Sequence, residues 1–242
     1  MKDRKRSWKR LKRIEKLESR NMLSADASPG EHMDIYGNEY HVLPLPSDDI
    51  PAVVDSNLDP GVEGALAPLE DTFFLHSSLG AKQTIYLDFD GHVTSGKIWN
   101  SAFNNGEDIN TPAYSFEGDA SFSDNELLRI QNIWARVAED FMPFDVNVTT
   151  QDPGVDALSK FGTSDPDWGV RVVIGGNNSW FGGGGGVAYV NSFNYSSDTP
   201  VFVFEDNLGN GNEKYNAEAS SHEAGHALGL RHDGQGLSLI HI

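Results

Sequence analysis

Ser221-His222-Glu223-Ala224-Gly225-His226-Ala227-Leu228-Gly229-Leu230-Arg231-His232-Asp233-Gly234 is the stretch from which the rest of the chain is read. His222 and His226 are four positions apart, so on a helix both imidazoles reach one cation from the same face. Glu223 stands one position along, close to that cation but directed at its bound water. Gly229 predicts the helix end, because glycine takes positive φ without a steric cost. The chain then turns and returns His232 as a third nitrogen ligand. Three neutral imidazoles on Zn²⁺ leave a fourth position for water, the layout of a catalytic rather than a structural site. An HExxH pattern arises by chance in roughly one chain in a hundred of this length. An amphipathic helix with incidental surface histidines would leave Gly229 and His232 unexplained.

Working upstream, the helix that carries this motif is predicted from about Asn216 to Leu228. Ser123 and Glu126 form a capping box, and Leu127, Ile130, Trp134, Val137 and Phe141 follow at helical spacing, ending before Pro143. Strands are predicted at Thr84–Phe89, Phe144–Thr150, Val170–Ile174, Val187–Val190 and Val201–Glu205. Five strands and two helices make a one-sheet α+β or α/β layer structure. The folded domain is expected over residues 83–236. Residues 28–82 are rich in Pro and Asp without a clear period, and read as a largely disordered linker or prosegment.

The 242 residues suffice for one domain and some tens of residues besides. The absence of Cys excludes disulfides, thiolate metal sites and cysteine nucleophiles. No apolar run approaches the roughly 18 residues of a membrane-spanning helix. Net charge is −18, but unevenly spread: residues 1–20 hold ten of the 18 basic side chains and three of the 36 acidic ones. The remainder is strongly acidic, which opposes binding to nucleic acid. Nothing in the sequence sets an oligomeric state.

Several features stay open. Val187, Ala188, Tyr189 and Val190 suit main-chain pairing with a peptide, with an internal strand as the rival reading. Gly182–Gly186 reads as a flexible loop beside the cleft, or as an anion cradle without the residues such a cradle needs. His32, His41, His76 and His92 lie outside any ligand spacing and read as surface or turn histidines. Asp88-Phe89-Asp90-Gly91 begins like a calcium loop, but the later ligands do not follow, so structural Ca²⁺ has no assigned residues.

The site motif HEAGHALGLRHD resembles the HExxHxxGxxHD signature of the metzincin zinc endopeptidases, and Asp233 is similar to the residue that marks the adamalysin/reprolysin branch. The resemblance spans about residues 83–234. It implies an α+β fold, a metzincin-like N-terminal subdomain with a twisted five-stranded mixed sheet, a backing helix and an active-site helix, together with Zn²⁺ on His222, His226 and His232, Glu223 as general base, and a protein or peptide substrate. It also implies that Val187–Val190 is the edge strand that takes an extended peptide antiparallel. Asp233 would support the site from behind, with a capping or turn role as the alternative.

A metzincin continues into a smaller subdomain with a Met-containing turn. Here no Met follows Met142, so that C-terminal subdomain is expected to be missing. Residues 237–242 coincide with the translation of a common transposon-end adapter and are expected to be a non-native tail, which removes His241 as a ligand. Residues 1–27 are basic, and Leu17–Ala25 resembles the LEPRxLLSA segment of large bacterial surface proteins, implying export to the cell surface or beyond. The function implied is a zinc-dependent endopeptidase, with a non-catalytic surface or adhesion module on the same scaffold as the alternative.

Overall fold

Gln83–Asp88 forms the strand around which the sheet is organised. The computed structural model describes residues 32–45, 64–117 and 121–232. Its first elements are β1 (His32–Met33), β2 (Glu39–Leu43), β3 (Gln83–Asp88), β4 (His92–Thr94), α1 (Ile98–Phe103) and β5 (Ile109–Thr111). They are followed by α2 (Asp124–Asp140), β6 (Val146–Thr149), β7 (Trp168–Ile174), β8 (Gly186–Tyr189), β9 (Val201–Val203) and α3 (Glu213–Ala227). The basic segment over 1–27, Asp233 and the tail over 237–242 lie outside the described residues.

β3 runs parallel to β6 on one side and to β7 on the other. Its Ile85, Tyr86 and Leu87 are all buried, as a parallel strand covered on both faces requires. β9 continues parallel to β7, and β8 then reverses direction against β9. The full order is β1-β2-β8-β9-β7-β3-β6, with β4 and β5 paired separately. This is a mixed α+β fold, compatible with a metzincin-like architecture.

All five expected strands are present, but the sheet has seven rather than five. The two additional strands come from within residues 28–82, so the expectation of a linker there does not hold for residues 32–43. Asp34 accepts backbone hydrogen bonds from Tyr36 (2.8 Å) and Asn38 (2.9 Å), closing the turn that joins β1 to β2. Tyr189 Oη donates to the same carboxylate at 2.8 Å and ties this hairpin to β8. A run of five residues is too short to stand out in a Pro-rich context, and β2 gains its order from the sheet. Residues 66–75 are also seated: Gln131 on α2 accepts from the Leu66 and Ala67 amides, and Leu75 N donates to Thr150 Oγ1.

α2 begins as its capping box predicts. Ser123 Oγ accepts from Glu126 N at 3.2 Å, and Glu126 accepts from Ser123 N at 2.9 Å. Ile130, Val137 and Phe141 enter the core between the sheet and the helices, and Trp134 Nε1 donates to Val148 O at 3.0 Å. The opposite face of the sheet packs an aromatic cluster built on Trp99, Phe181, Tyr189 and Phe202. α3 starts three residues earlier than expected because Asn212 caps it, accepting from Tyr215 N at 3.1 Å.

Candidate metal centre

α3 lies across β8 and β9, and its buried side chains include Glu223 and His226. Small residues make this approach feasible: Ala219, Ala224 and Ala227 are all buried in the core beneath the helix. The helix ends at Gly229, whose φ of 98° is left-handed. Leu230 N donates to Gly225 O at 3.0 Å and Gly229 N to His226 O at 2.8 Å, the two bonds of a Schellman cap. That reversal is what returns residue 232 to the helix.

The three expected ligands meet there. His222 Nε2 is 2.9 Å from His226 Nε2 and 3.0 Å from His232 Nε2, and the third edge is 3.2 Å. Zn–N bonds of about 2.0–2.1 Å imply nitrogen separations of roughly 3.3–3.4 Å around a tetrahedral ion. The triangle is therefore close to the size that zinc needs. His226 Nδ1 lies 2.8 Å from the Leu230 carbonyl, and a carbonyl only accepts. The proton is thus on Nδ1, and the Nε2 lone pair faces the shared centre. Burial lowers the pKa of His222 to about 4 and of His226 to about 3, with neighbouring imidazoles adding to the effect. Both rings are neutral at physiological pH, the form that binds metal.

Glu223 is fully buried beside this triangle. Neither of its carboxylate oxygens has a hydrogen-bond partner among the described residues. Burial pushes its pKa well above the usual carboxylate range, with the Leu43 backbone pulling the other way. A buried carboxylate with open acceptors beside a cation site is suited to hold water there. Gly186 on β8 faces it so closely that a Cβ would stand 2.6 Å from Glu223 Oε1.

Val187, Ala188, Tyr189 and Val190 run beside the helix, yet they are not an open edge. β2 pairs antiparallel with β8, with Tyr40 opposite Tyr189, His41 opposite Ala188, Val42 opposite Val187 and Leu43 opposite Gly186. Val190 N is also taken, donating to Glu39 O at 3.0 Å. The internal-strand alternative describes this arrangement.

His41 departs most from the sequence reading. It is 1% exposed, and its ring centroid lies 4.5 Å from that of His226 and 4.8 Å from that of His232. One of its ring nitrogens lies within 4.8 Å of ligand nitrogens of both. The motif search missed it because no local spacing links residue 41 to residues 222–232. The alternation of Tyr40, His41, Val42 and Leu43 was the available signal, since it describes a half-buried strand rather than a surface loop.

The acidic turn at Asp88 meets a different cation from the one considered. Arg171 on β7 donates to Asp88 at 2.6 Å and to Asp198 at 2.9 Å, all three being buried. Burial and the adjacent Asp90 raise the Asp88 pKa to about 7 against the pull of Arg171.

Residues 135–233 match the family model described as Metallo-peptidase family M12B Reprolysin-like. The match supports a metalloprotease. It takes in the C-terminal end of α2, the strands β6 to β9 and all of α3, so it covers the elements that build the histidine triangle. No curated protein and no solved structure matches the chain. No helix among the described residues is long and apolar enough to cross a membrane.

Proposed function

We propose that the chain is the catalytic part of a zinc-dependent endopeptidase, exported to the cell surface or beyond. The observation that carries this reading is the convergence of three imidazole nitrogens within 3.2 Å of one another, next to a buried carboxylate without a partner. His222, His226 and His232 would hold the ion. Bound there, Zn²⁺ supplies Lewis acidity and lowers the pKa of a coordinated water. Glu223 takes the proton of the attacking water and passes it to the leaving amine. Its burial makes the carboxylate a stronger base toward that water. The main chain of Val187–Val190 orients an extended peptide by strand addition. Asp233 supports the metal site from behind, on the strength of the family resemblance. Export rests on the Leu17–Ala25 segment alone.

The adhesion-module alternative gives Glu223 no task, since a binding surface needs no base. The test is metal content together with turnover. The intact chain should take up one zinc, and cleavage of a denatured protein should stop on chelation. Glu223→Gln should keep the zinc and lose nearly all turnover. A chain that takes up no zinc, or a Glu223→Gln variant with ordinary activity, would refute the proposal.

A further inference from the structure

We propose that β2 is an inhibitory strand seated in the peptide-binding position, and that His41 on it is a fourth ligand to the metal, so that turnover is confined to molecules whose strand has left the site. This rests on the peptidase reading above and extends it to regulation of the same site.

The first support is the pairing. β2 covers the side of β8 that an extended peptide would use, residue against residue from Leu43 to Tyr40. Gly185 N donates to Leu43 O at 2.7 Å, just beyond the paired residues, and Val190 N donates to Glu39 O at the other end. The main-chain groups that recognise substrate by strand addition are thus occupied from within.

The second support is where alternation sends the side chains. Successive residues of a strand face opposite sides of the sheet. Tyr40 and Val42 enter the aromatic cluster, while Leu43 packs into the core beneath α3. His41 shares the Leu43 side and meets the metal triangle. Its centroid distances of 4.5 and 4.8 Å match those within the triangle, which are 4.5, 4.8 and 5.0 Å. His41 thus adjoins the triangle on its His226–His232 side, with a ring nitrogen within 4.8 Å of theirs, and a fourth nitrogen donor there would make a closed zinc site in place of one open to water.

Third, the His41 ring has a nitrogen to spare. Its Nε2 faces the Glu39 carboxylate at 3.2 Å. Nδ1 is buried and without a hydrogen-bond partner among the described residues. An unsatisfied buried acceptor is costly, and a cation shared with His226 and His232 satisfies it.

Finally, the strand is latched to the site. Arg231 Nε and Nη2 donate to the two Glu39 oxygens at 2.6 and 2.5 Å, a bidentate pair. Arg231 stands immediately before His232, so one carboxylate holds both the His41 ring and the turn that carries the third ligand. With the fourth position filled by nitrogen, Glu223 has no water to deprotonate, and the seated strand is not cut.

The test uses the whole chain loaded with Co²⁺ or Zn²⁺. Proton NMR of the Co²⁺ protein should show strongly shifted ring N–H signals from four imidazoles, where an open site shows three. His41→Ala should keep a cooperative melt, lower zinc affinity by at least about tenfold in a chelator competition, change the visible Co²⁺ spectrum and raise peptide turnover. Glu39→Gln, which leaves the strand intact, should move the same readouts in the same direction by less. Three shifted signals in the wild type, or a folded His41→Ala protein with unchanged affinity and Co²⁺ spectrum, overturns the proposal while leaving the peptidase reading intact. A wild-type chain that takes up no metal overturns both.

Discussion

Gly186 of β8 and Glu223 of α3 are in such close approach that the space between them is smaller than a methyl group: a Cβ on Gly186 would lie 2.6 Å from Oε1 and 2.9 Å from Cγ of Glu223. The Phe202 carbonyl closes the remaining side at 2.9 Å. Glycine here is a matter of room, since the strand backbone is ordinary. Gly186→Ala should therefore displace the carboxylate and leave the three histidines in place. We expect turnover to fall about 100-fold and stability by about 1–3 kcal/mol. Zinc content should stay at the wild-type level, as metal analysis beside a urea titration would show.

Gly229 is required for a different reason. Its φ is 98°, and a Cβ would stand 2.4 Å from Asn191 Oδ1. Gly229→Ala should lose about 1–2 kcal/mol from backbone strain alone. It should also weaken zinc binding, because the reversal at this residue is what returns His232. Gly225→Ala is the control: it lies inside α3, with only the Leu230 side chain near at 3.4 Å. That change should be neutral or stabilising by up to about 1 kcal/mol. Equal losses for the two variants would show that the cap does not position the ligand.

The lowered pKa values of His222 and His226 set an acid limit for the metal-free protein. Unfolded, both imidazoles titrate near 6.5; folded, they do so near 4 and 3. The unfolded chain therefore binds more protons between these values, and the stability that the neutral rings contribute is present above about pH 6.5 and lost as pH falls toward 4. Asp88, with its raised pKa, has the opposite slope. Comparing the metal-free wild type with His222→Gln at each pH removes that shared background. Between pH 7.5 and pH 5 the difference should shift in favour of the variant by about 2 kcal/mol, measured from denaturation midpoints.

Arg171 is the buried cation that offsets Asp88 and Asp198. Arg171→Met should leave two buried carboxylates without their counter-charge, at a cost of about 3–5 kcal/mol. Part of that loss should be recovered at pH 5, where Asp88 takes up a proton more readily than an exposed carboxylate would. A thermal melt at pH 5 and pH 8 decides this, and an equal loss at both would place the cost in packing rather than in charge.

The local elements were legible because their causes are local. The Ser123 and Glu126 capping box, the apolar stripe of α2, and the positive φ of Gly229 all follow from residues a few positions apart. The five strands β3, β6, β7, β8 and β9 were legible as short apolar runs between turns. Their order in the sheet was not, since pairing depends on partners far away in the chain.

The histidine triangle stands between these cases. One helical turn brings His222 to His226, and a glycine cap brings back His232, so a single stretch of eleven residues encodes the three-histidine site. The fourth imidazole had no such encoding. His41 lies 181 positions before His222, and in sequence it was one of several isolated histidines in a segment read as a linker.

The sequence by itself thus determined the chemistry of the centre, because spacing along a helix is a geometric instruction. Only the tertiary structure decided who shares that centre. A strand of five residues has no independent stability, and its place depends on an open sheet edge built by residues 186–189. That edge selected β2, and the two-residue period of a strand then turned His41 toward His226 and His232 and Tyr40 away from them.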